Sequence, residues 1–155
     1  MILRERDIQF DFGDALEAVK FDAEREPVHG MKAVDFIAEY PDYHLFIEVK
    51  DPGARNVYRS TQERSGLVDR LVKQFRDSLL YRWCEGKLDD RPVHYRCLVE
   101  TDSALLLYIN KKLRKNLSAN KPPKSWKRRV AESCVASNIE MWNKKFDDVV
   151  VKKLP

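Results

Sequence analysis

The segment of residues 31–50, MKAVDFIAEYPDYHLFIEVK, constrains the fold more than any other part of the chain. Apolar and polar residues alternate on both sides of a short break at residues 40–43, and such alternation is typical of half-buried β-strands. Pro41 and Asp42 in the break are favourable turn residues. The segment therefore predicts a β-hairpin whose turn is centred on Pro41 and Asp42.

This hairpin would place three charged side chains on one face. With the turn at that position, Asp35 lies directly opposite Glu48, and cross-strand partners have Cβ atoms about 4.5–5.5 Å apart. Lys50 follows Glu48 by two residues and therefore shares its face. The opposite face carries the apolar residues Val34, Phe36, Leu45, Ile47 and Val49. Two adjacent carboxylates can hold a divalent cation, and a nearby ammonium can stabilise an anion.

Hydrophobic spacing and turn signals predict the remaining elements. In chain order, the predicted elements are a helix at residues 11–20, the hairpin at 31–50, a turn at Asp51–Gly53, a helix at Thr61–Cys84 ended by Gly86, a strand at Val93–Glu100, a helix at Ser103–Asn116, a strand or helix at 130–137, a helix at 138–146 and a short edge strand at 149–151. The order α-β-β-α-β-α-β predicts a single α/β domain over residues 1–155, with a mixed central sheet flanked by helices.

Charge is distributed unevenly along the chain. Residues 1–50 contain 12 acidic and 6 basic residues, whereas residues 103–155 contain 4 acidic and 13 basic ones. A basic segment of this length indicates a polyanionic partner such as nucleic acid, and an ordinary solvated face is the alternative. The candidate contacts are the cations of this segment and a Trp that could stack on a base, namely Lys111, Lys112, Arg114, Lys115, Lys124, Trp126, Lys127, Arg128 and Arg129.

The sequence also indicates the cellular environment. No stretch approaches the ~18 apolar residues of a membrane span, so no membrane partner is expected. The 3 cysteines include no CxxC pair, which favours neither a disulfide framework nor a zinc site. A reducing cytoplasm is the expected location.

The motif Asp35-x12-Glu48-Val49-Lys50 resembles that of the PD-(D/E)XK nuclease superfamily, which has the restriction-endonuclease-like fold. In that family the Asp lies on one strand of a hairpin and the (D/E)-x-K on the next, usually with an apolar middle residue. This chain departs from the pattern because no Pro precedes Asp35. The literal Pro-Asp ends at Asp42, about 20 Å from Glu48 along an extended strand, which is too far for one ion to bridge.

The resemblance implies a restriction-endonuclease-like core and a role for each residue of the motif. Asp35 and Glu48 would bind Mg²⁺ or Mn²⁺ together with the backbone carbonyl of Val49. Lys50 would position the attacking water or stabilise the added negative charge on the phosphate. The implied function is metal-dependent hydrolysis of phosphodiester bonds in nucleic acid, with DNA favoured over RNA.

The resemblance also suggests two auxiliary residues. Some members of the family add a metal-binding Glu from the first helix, and Glu17 is the matching candidate, with a surface carboxylate as its alternative. Related nucleases often keep a Gln near the site on the helix after the motif, where Gln74 lies.

Two other functions stay open. The chain could be a nuclease-like module that no longer cuts and binds nucleic acid or a protein partner. It could also be a basic nucleic-acid binder in which the hairpin trio is incidental. Many small nucleases dimerise to cut two strands, so a homodimer is compatible with the sequence.

Overall fold

The computed structural model describes residues 1–50 and 60–155, so the predicted turn at Asp51–Gly53 lies outside the described residues. Within these ranges the chain forms eight strands and four helices. In chain order they are β1 (Ile2–Glu5), β2 (Ile8–Asp11), β3 (Glu17–Lys20), α1 (Phe21–Glu24), β4 (Phe36–Glu39), β5 (His44–Lys50), α2 (Thr61–Cys84), β6 (Val93–Val99), α3 (Ser103–Asn116), β7 (Ser133–Ser137), α4 (Ile139–Lys145) and β8 (Val150–Lys153).

Five strands form a mixed sheet in the order β3-β4-β5-β6-β7. The strands β3, β4 and β5 are antiparallel neighbours, whereas β5, β6 and β7 run parallel. Parallel neighbours need a crossover connection, which α2 supplies between β5 and β6 and α3 supplies between β6 and β7. The predicted α/β class with a mixed central sheet is therefore confirmed.

The predicted hairpin is present as β4 and β5, in the predicted register. Phe36 pairs with Ile47, which is the pairing that a turn at residues 41–42 requires. The Tyr40 N–H donates to the Tyr43 carbonyl at 2.9 Å and closes the turn. The two tyrosine rings stack with their centroids 4.7 Å apart. Turn chemistry and alternation together fixed the register.

Both faces of the five-stranded sheet are covered, which corrects the prediction that one hairpin face is apolar and the other polar. Ile37 and Phe46 pack beneath α2 and α3 on one face. On the other face a three-stranded antiparallel sheet, β1-β2-β8, covers Phe36 and its neighbours. The Phe10 ring of this small sheet lies 4.8 Å from the Phe36 ring. The charged trio therefore lies at the end of a covered hairpin rather than along an open face.

The long helix α2 has the predicted bounds, Thr61–Cys84. It begins where the Ser60 side chain accepts a hydrogen bond from the Glu63 N–H at 3.1 Å, and it ends before Gly86, whose φ is +72°. Its buried stripe includes Leu67 and Phe75, both fully buried. Packing of this stripe on the sheet fixes which α2 residues face the hairpin.

The predicted first helix over residues 11–20 is wrong. Gly13 turns the chain there with a φ of +53°, and a β-carbon at this position would lie 3.2 Å from the Asp148 carbonyl oxygen. Leu16, an apolar residue of this segment, is exposed. The strand β3 follows, so the element order begins with three strands rather than with a helix.

The strand β2 has a sequence signature that the helix interpretation overlooked. Ile8, Phe10 and Phe12 alternate with polar residues and are all buried. Farther along the chain, the undecided segment at residues 130–137 forms the strand β7, and the predicted helix at 138–146 is α4. The short strand expected at residues 149–151 is β8, which pairs with β2 in the small sheet.

Two asparagine side chains cover the backbone of outer strands. Asn110 of α3 donates to the Ala136 carbonyl at 2.8 Å and accepts from the Ala136 N–H at 2.9 Å, on the strand β7. Asn143 of α4 makes the same pair of bonds with Val151 on β8, at 2.6 and 3.0 Å. Each amide thus occupies the groups that another strand would use, which protects the edge from intermolecular pairing.

Among the described residues, every helix is too short or too polar to cross a membrane.

Candidate functional site

The hairpin holds Asp35 and Glu48 in direct mutual contact. The Asp35 N–H donates to Glu48 Oε2 at 3.2 Å, and the Val49 N–H donates to Asp35 Oδ2 at 2.7 Å. Each carboxylate is thereby held by the backbone of the opposite strand. Asp35 is 9% exposed and Glu48 is 2% exposed. The pairing of Asp35 with Glu48, predicted from the register, is confirmed.

Lys50 and Gln74 meet at a single oxygen of Glu48. Lys50 Nζ lies 3.0 Å from Glu48 Oε1, and Gln74 Nε2 donates to the same atom at 2.9 Å. Gln74 reaches the hairpin because the buried stripe of α2 packs on this face of the sheet. The other amide atom, Gln74 Oε1, is buried and has no hydrogen-bond partner in the described part of the chain. The structure therefore brings together the motif residues and the auxiliary glutamine.

Two further acids, which the sequence interpretation missed, complete the cluster. Glu5 ends β1 and Asp22 lies in α1. One carboxylate oxygen from each of Glu5, Asp22 and Asp35 lies within 4.8 Å of the other two. Lys20 Nζ, 2.8 Å from Glu5 Oε2, partly offsets this negative charge. No local motif marks these residues, because only the packing of the small sheet brings Glu5 beside the hairpin.

The surroundings raise the pKa values of Asp35, Glu48 and Asp22. Burial raises the pKa of Asp35, the Glu48 charge raises it further, and the Val49 N–H opposes both. Burial also raises the pKa of Glu48, against the lowering influence of Lys50 and Gln74. The pKa of Asp22 is raised by burial and then by Glu5. Burial is the largest cause of all three shifts, and repulsion between the acids adds to those of Asp35 and Asp22. A bound cation would relieve that repulsion.

The acids line a cleft of about 230 Å³ between the hairpin, the turn joining β1 and β2, and α2. Its lining residues are Glu5, Arg6, Ile8, Asp22, Ala33, Asp35, Glu48, Val49, Lys50 and Gln74. Hard divalent cations such as Mg²⁺ prefer carboxylate and carbonyl oxygens, and four carboxylates line this cleft. The unpartnered Gln74 Oε1 adds an acceptor for a water or an ion. The donor set therefore fits Mg²⁺ or Mn²⁺.

Glu17 lies outside this cleft, which corrects its prediction as a metal ligand. It belongs to β3 rather than to a helix, it is exposed, and it pairs with Glu39 at the far end of β4. Lys20, three residues later, pairs with Phe36 beside the cluster. At about 3.3 Å per residue, Glu17 lies roughly 10 Å farther along the strand. The acids that lie beside Asp35 are Asp22 and Glu5.

The basic residues of α3 lie toward the end of the sheet opposite the cleft, where the parallel strands begin. The parallel strands β5, β6 and β7 all end on the side where Lys50 lies. Asn110 contacts Ala136 near the end of β7, whereas Arg114 Nε donates to the Cys134 carbonyl near its start. The helix therefore runs away from the cleft. Its second half carries Lys111 and Lys112, and its last turn carries Arg114 and Lys115, so these cations lie toward the far end of the sheet.

The basic loop before β7 is also distant from the cleft. Arg128 donates to the carbonyls of Asp89 and Arg91, just before the start of β6, and Arg129 donates to the Ala119 carbonyl. The start and end of β5 are six residues apart, or about 20 Å. Trp126 is 42% exposed and its neighbours Lys124 and Lys127 are exposed. The structure thus does not bring the predicted nucleic-acid-binding residues to the acidic cluster.

No protein-family model, curated protein or solved structure matches this chain.

Proposed function

We propose that the protein is a metal-dependent nuclease that hydrolyses phosphodiester bonds of nucleic acid, with DNA favoured over RNA. The observation that supports this most is the Asp35–Glu48–Lys50 cluster, fixed by hydrogen bonds in a cleft that two further acids line. The cleft brings the buried carboxylates of Asp35 and Glu48 together with the more exposed acids Glu5 and Asp22. Perturbed, clustered ionisable groups of this kind favour a functional site over a structural one.

In this proposal the acids bind the metal ion and Lys50 acts on the phosphate or the attacking water. Asp35 and Glu48 would hold Mg²⁺ or Mn²⁺ with the Val49 carbonyl, and Glu5 and Asp22 could add ligands. The ion, when bound, supplies positive charge for the phosphate and makes water more acidic. Lys50 would stabilise the charge that develops on the phosphate or orient the attacking water.

Gln74 acts as a positioning residue in this proposal. Its amide donates to the same Glu48 oxygen as Lys50, so it limits the rotation of the carboxylate. Support of this kind around charged ligands keeps their geometry within the tolerance that catalysis needs.

Location and assembly extend the proposal. A reducing cytoplasm remains the expected location. Because a single cleft cuts one strand, cleavage of both strands of a duplex by a homodimer is part of the same hypothesis. Light scattering in the presence and absence of DNA measures the assembly directly.

A catalytically inactive module that binds nucleic acid or a protein partner is the second candidate. The observation in its favour is that the basic loop with Trp126 lies at the end of the sheet opposite the acidic cluster. In that case, binding of the partner by the basic loop would not depend on the acidic cluster. Calorimetric titration with Mn²⁺ separates the two candidates, since a nuclease must bind the ion and the inactive module need not.

The direct test is incubation of linear, nicked and circular DNA, and of RNA, with the protein in Mg²⁺, Mn²⁺ or EDTA. Metal-dependent cleavage by the wild type, and none by an equally folded Asp35→Ala variant, is the expected result. Comparing the three DNA forms also separates cleavage at ends from internal cleavage. Equal cleavage by the Asp35→Ala protein would overturn the assignment.

A further inference from the structure

Arg6 occupies a backbone conformation that favours a different residue. The register of β1 and β2 pairs Glu5 with Ile8, so Arg6 and Asp7 form a two-residue hairpin turn. Arg6 has a φ of +54°. Glycine is preferred at a turn position with positive φ because it has no β-carbon. An arginine at this position costs stability, so its side chain is the feature to explain.

Contacts on both sides hold this turn at the mouth of the cleft. Lys20 pairs with Glu5 on one side. On the other side the Leu154 N–H donates to the Asp7 carbonyl at 2.7 Å. Arg6 itself is exposed and lines the cleft that contains Asp35 and Glu48. The turn is therefore a fixed support for a cationic side chain.

Arg6 differs from the two lysines at the cluster. Lys50 lies 3.0 Å from Glu48, and Lys20 lies 2.8 Å from Glu5. Within the described ranges, Arg6 has no hydrogen-bond or ion-pair partner. A guanidinium presents paired donors that match the oxygens of a phosphate, and such pairs are stronger than neutral hydrogen bonds.

We propose that Arg6 is an anion-binding residue that takes a backbone phosphate of the nucleic acid entering the cleft. The inference rests on the proposed function and adds the contact that admits the substrate. Four carboxylates around the cleft repel a polyanion, and a free cation at its mouth offsets that repulsion. The unfavourable backbone conformation of Arg6 is then the cost of placing the guanidinium there.

Two substitutions separate this role from a structural one. Arg6→Gly removes the cation and suits the positive φ, whereas Arg6→Lys keeps a positive charge without the paired donors. Arg4→Ala is the matched control, because Arg4 lies on the same hairpin and bonds Gln9 at 3.3 Å but does not line the cleft. Binding of a fluorescently labelled DNA oligonucleotide is measured with Mn²⁺ at several salt concentrations. All variants are made in a Lys50→Ala background so that the DNA stays intact.

We expect Arg6→Gly to weaken binding by roughly tenfold or more, as befits one charged hydrogen-bonded contact. The slope of the logarithm of affinity against that of salt concentration should decrease in magnitude by about 1. Its melting temperature should equal or exceed that of the parent, whereas a structural Arg6 would give a lower one. Arg6→Lys should bind with intermediate affinity, and Arg4→Ala should bind like the parent.

Unchanged binding by Arg6→Gly would overturn the inference. If the otherwise wild-type protein cuts DNA and Arg6→Gly cuts and binds equally well, only the role of Arg6 fails. If the wild-type protein neither binds nor cuts nucleic acid in Mn²⁺, the proposed function fails and the role of Arg6 fails with it.

Discussion

Replacing Asp35 by asparagine is expected to stabilise the metal-free protein. One carboxylate oxygen from each of Asp35, Glu5 and Asp22 lies within 4.8 Å of the other two. Two unit charges at that distance repel by about 3 kcal/mol at an effective dielectric constant of 20. The side-chain oxygen of the asparagine can still accept the Val49 N–H that Asp35 accepts now.

The expected gain is smaller than the full repulsion. The pKa of Asp35 is raised, so the wild-type protein already relieves part of the repulsion by retaining a proton. The Asp35→Asn substitution would remove the remainder, and we expect the free energy of unfolding to rise by about 1–3 kcal/mol. A residue kept for folding would show the opposite sign, because the substitution would only weaken its contacts.

Urea denaturation in EDTA at slightly alkaline pH measures this difference, because more of the carboxylate is then charged. Glu17→Gln is the matched control, since Glu17 is an exposed acid on the same sheet outside the cleft. Added Mn²⁺ should stabilise the wild type by about 3 kcal/mol at a hundred times its Kd. It should stabilise the asparagine variant far less. A loss of stability in Asp35→Asn in EDTA would refute the reasoning.

Three further predictions concern the rest of the molecule. Asn110→Ala should lower the free energy of unfolding by about 1–3 kcal/mol, because the backbone of β7 loses its amide partner. It should also increase aggregation, as measured by light scattering, because the edge of β7 becomes free to pair. Unchanged stability would contradict this role. Burial raises the pKa of Asp148, but hydrogen bonds from Arg96 and Tyr43 lower it more, so the net pKa lies below its ordinary value. The stabilisation that the charged Asp148 provides is present above about pH 4 and is lost as the pH falls through the folded-state pKa of Asp148. Asp148→Asn should therefore make the free energy of unfolding depend less steeply on pH in acid, and an unchanged dependence would count against this role. Replacing Lys124 and Lys127 together by alanine should reduce the salt dependence of DNA binding while leaving cleavage at saturating DNA intact, and an unchanged salt slope would exclude this loop from binding.

Long elements with repeated signals could be predicted from the sequence. The helix α2 repeats its apolar stripe over 24 residues, and α3 over 14, so a single atypical residue did not change either interpretation. Trp83 shows the limit, because it fits the helical spacing of α2 and is nevertheless 69% exposed. Spacing identifies a face, but the length of the sheet beneath decides how far along the helix that face is covered.

Short elements could not be predicted in the same way. The strand β3 has four residues, too few to distinguish a period of 2 from one of 3.6. Leu16 and Val19 therefore matched a helix by chance. Gly13 was the better signal, because a glycine needed for positive φ interrupts a helix within this segment.

Strand geometry alone predicted the site only where two neighbouring strands build it, and Gln74 on α2 was expected from the family resemblance. The hairpin register placed Asp35 beside Glu48 because pairing within a hairpin is local. Glu5 and Asp22 come from elements outside the hairpin. Packing of the small sheet on the large one brings Glu5 near, whereas pairing of β3 with β4 brings Asp22 near. Charge along the chain carries no information about which end of the sheet a segment occupies, so it could not show that the basic segment lies away from the acidic cleft.

Cleavage of circular DNA in Mn²⁺ by matched variants tests the central claim most directly. The comparison is wild type, Lys50→Ala and Glu17→Gln, with folding verified for each. The account predicts that the wild type and Glu17→Gln cut at equal rates, while Lys50→Ala cuts at least roughly a hundredfold more slowly because it lacks the charge that stabilises the phosphate. Cleavage by Lys50→Ala at the wild-type rate, or no metal-dependent cleavage by the wild type, would contradict it.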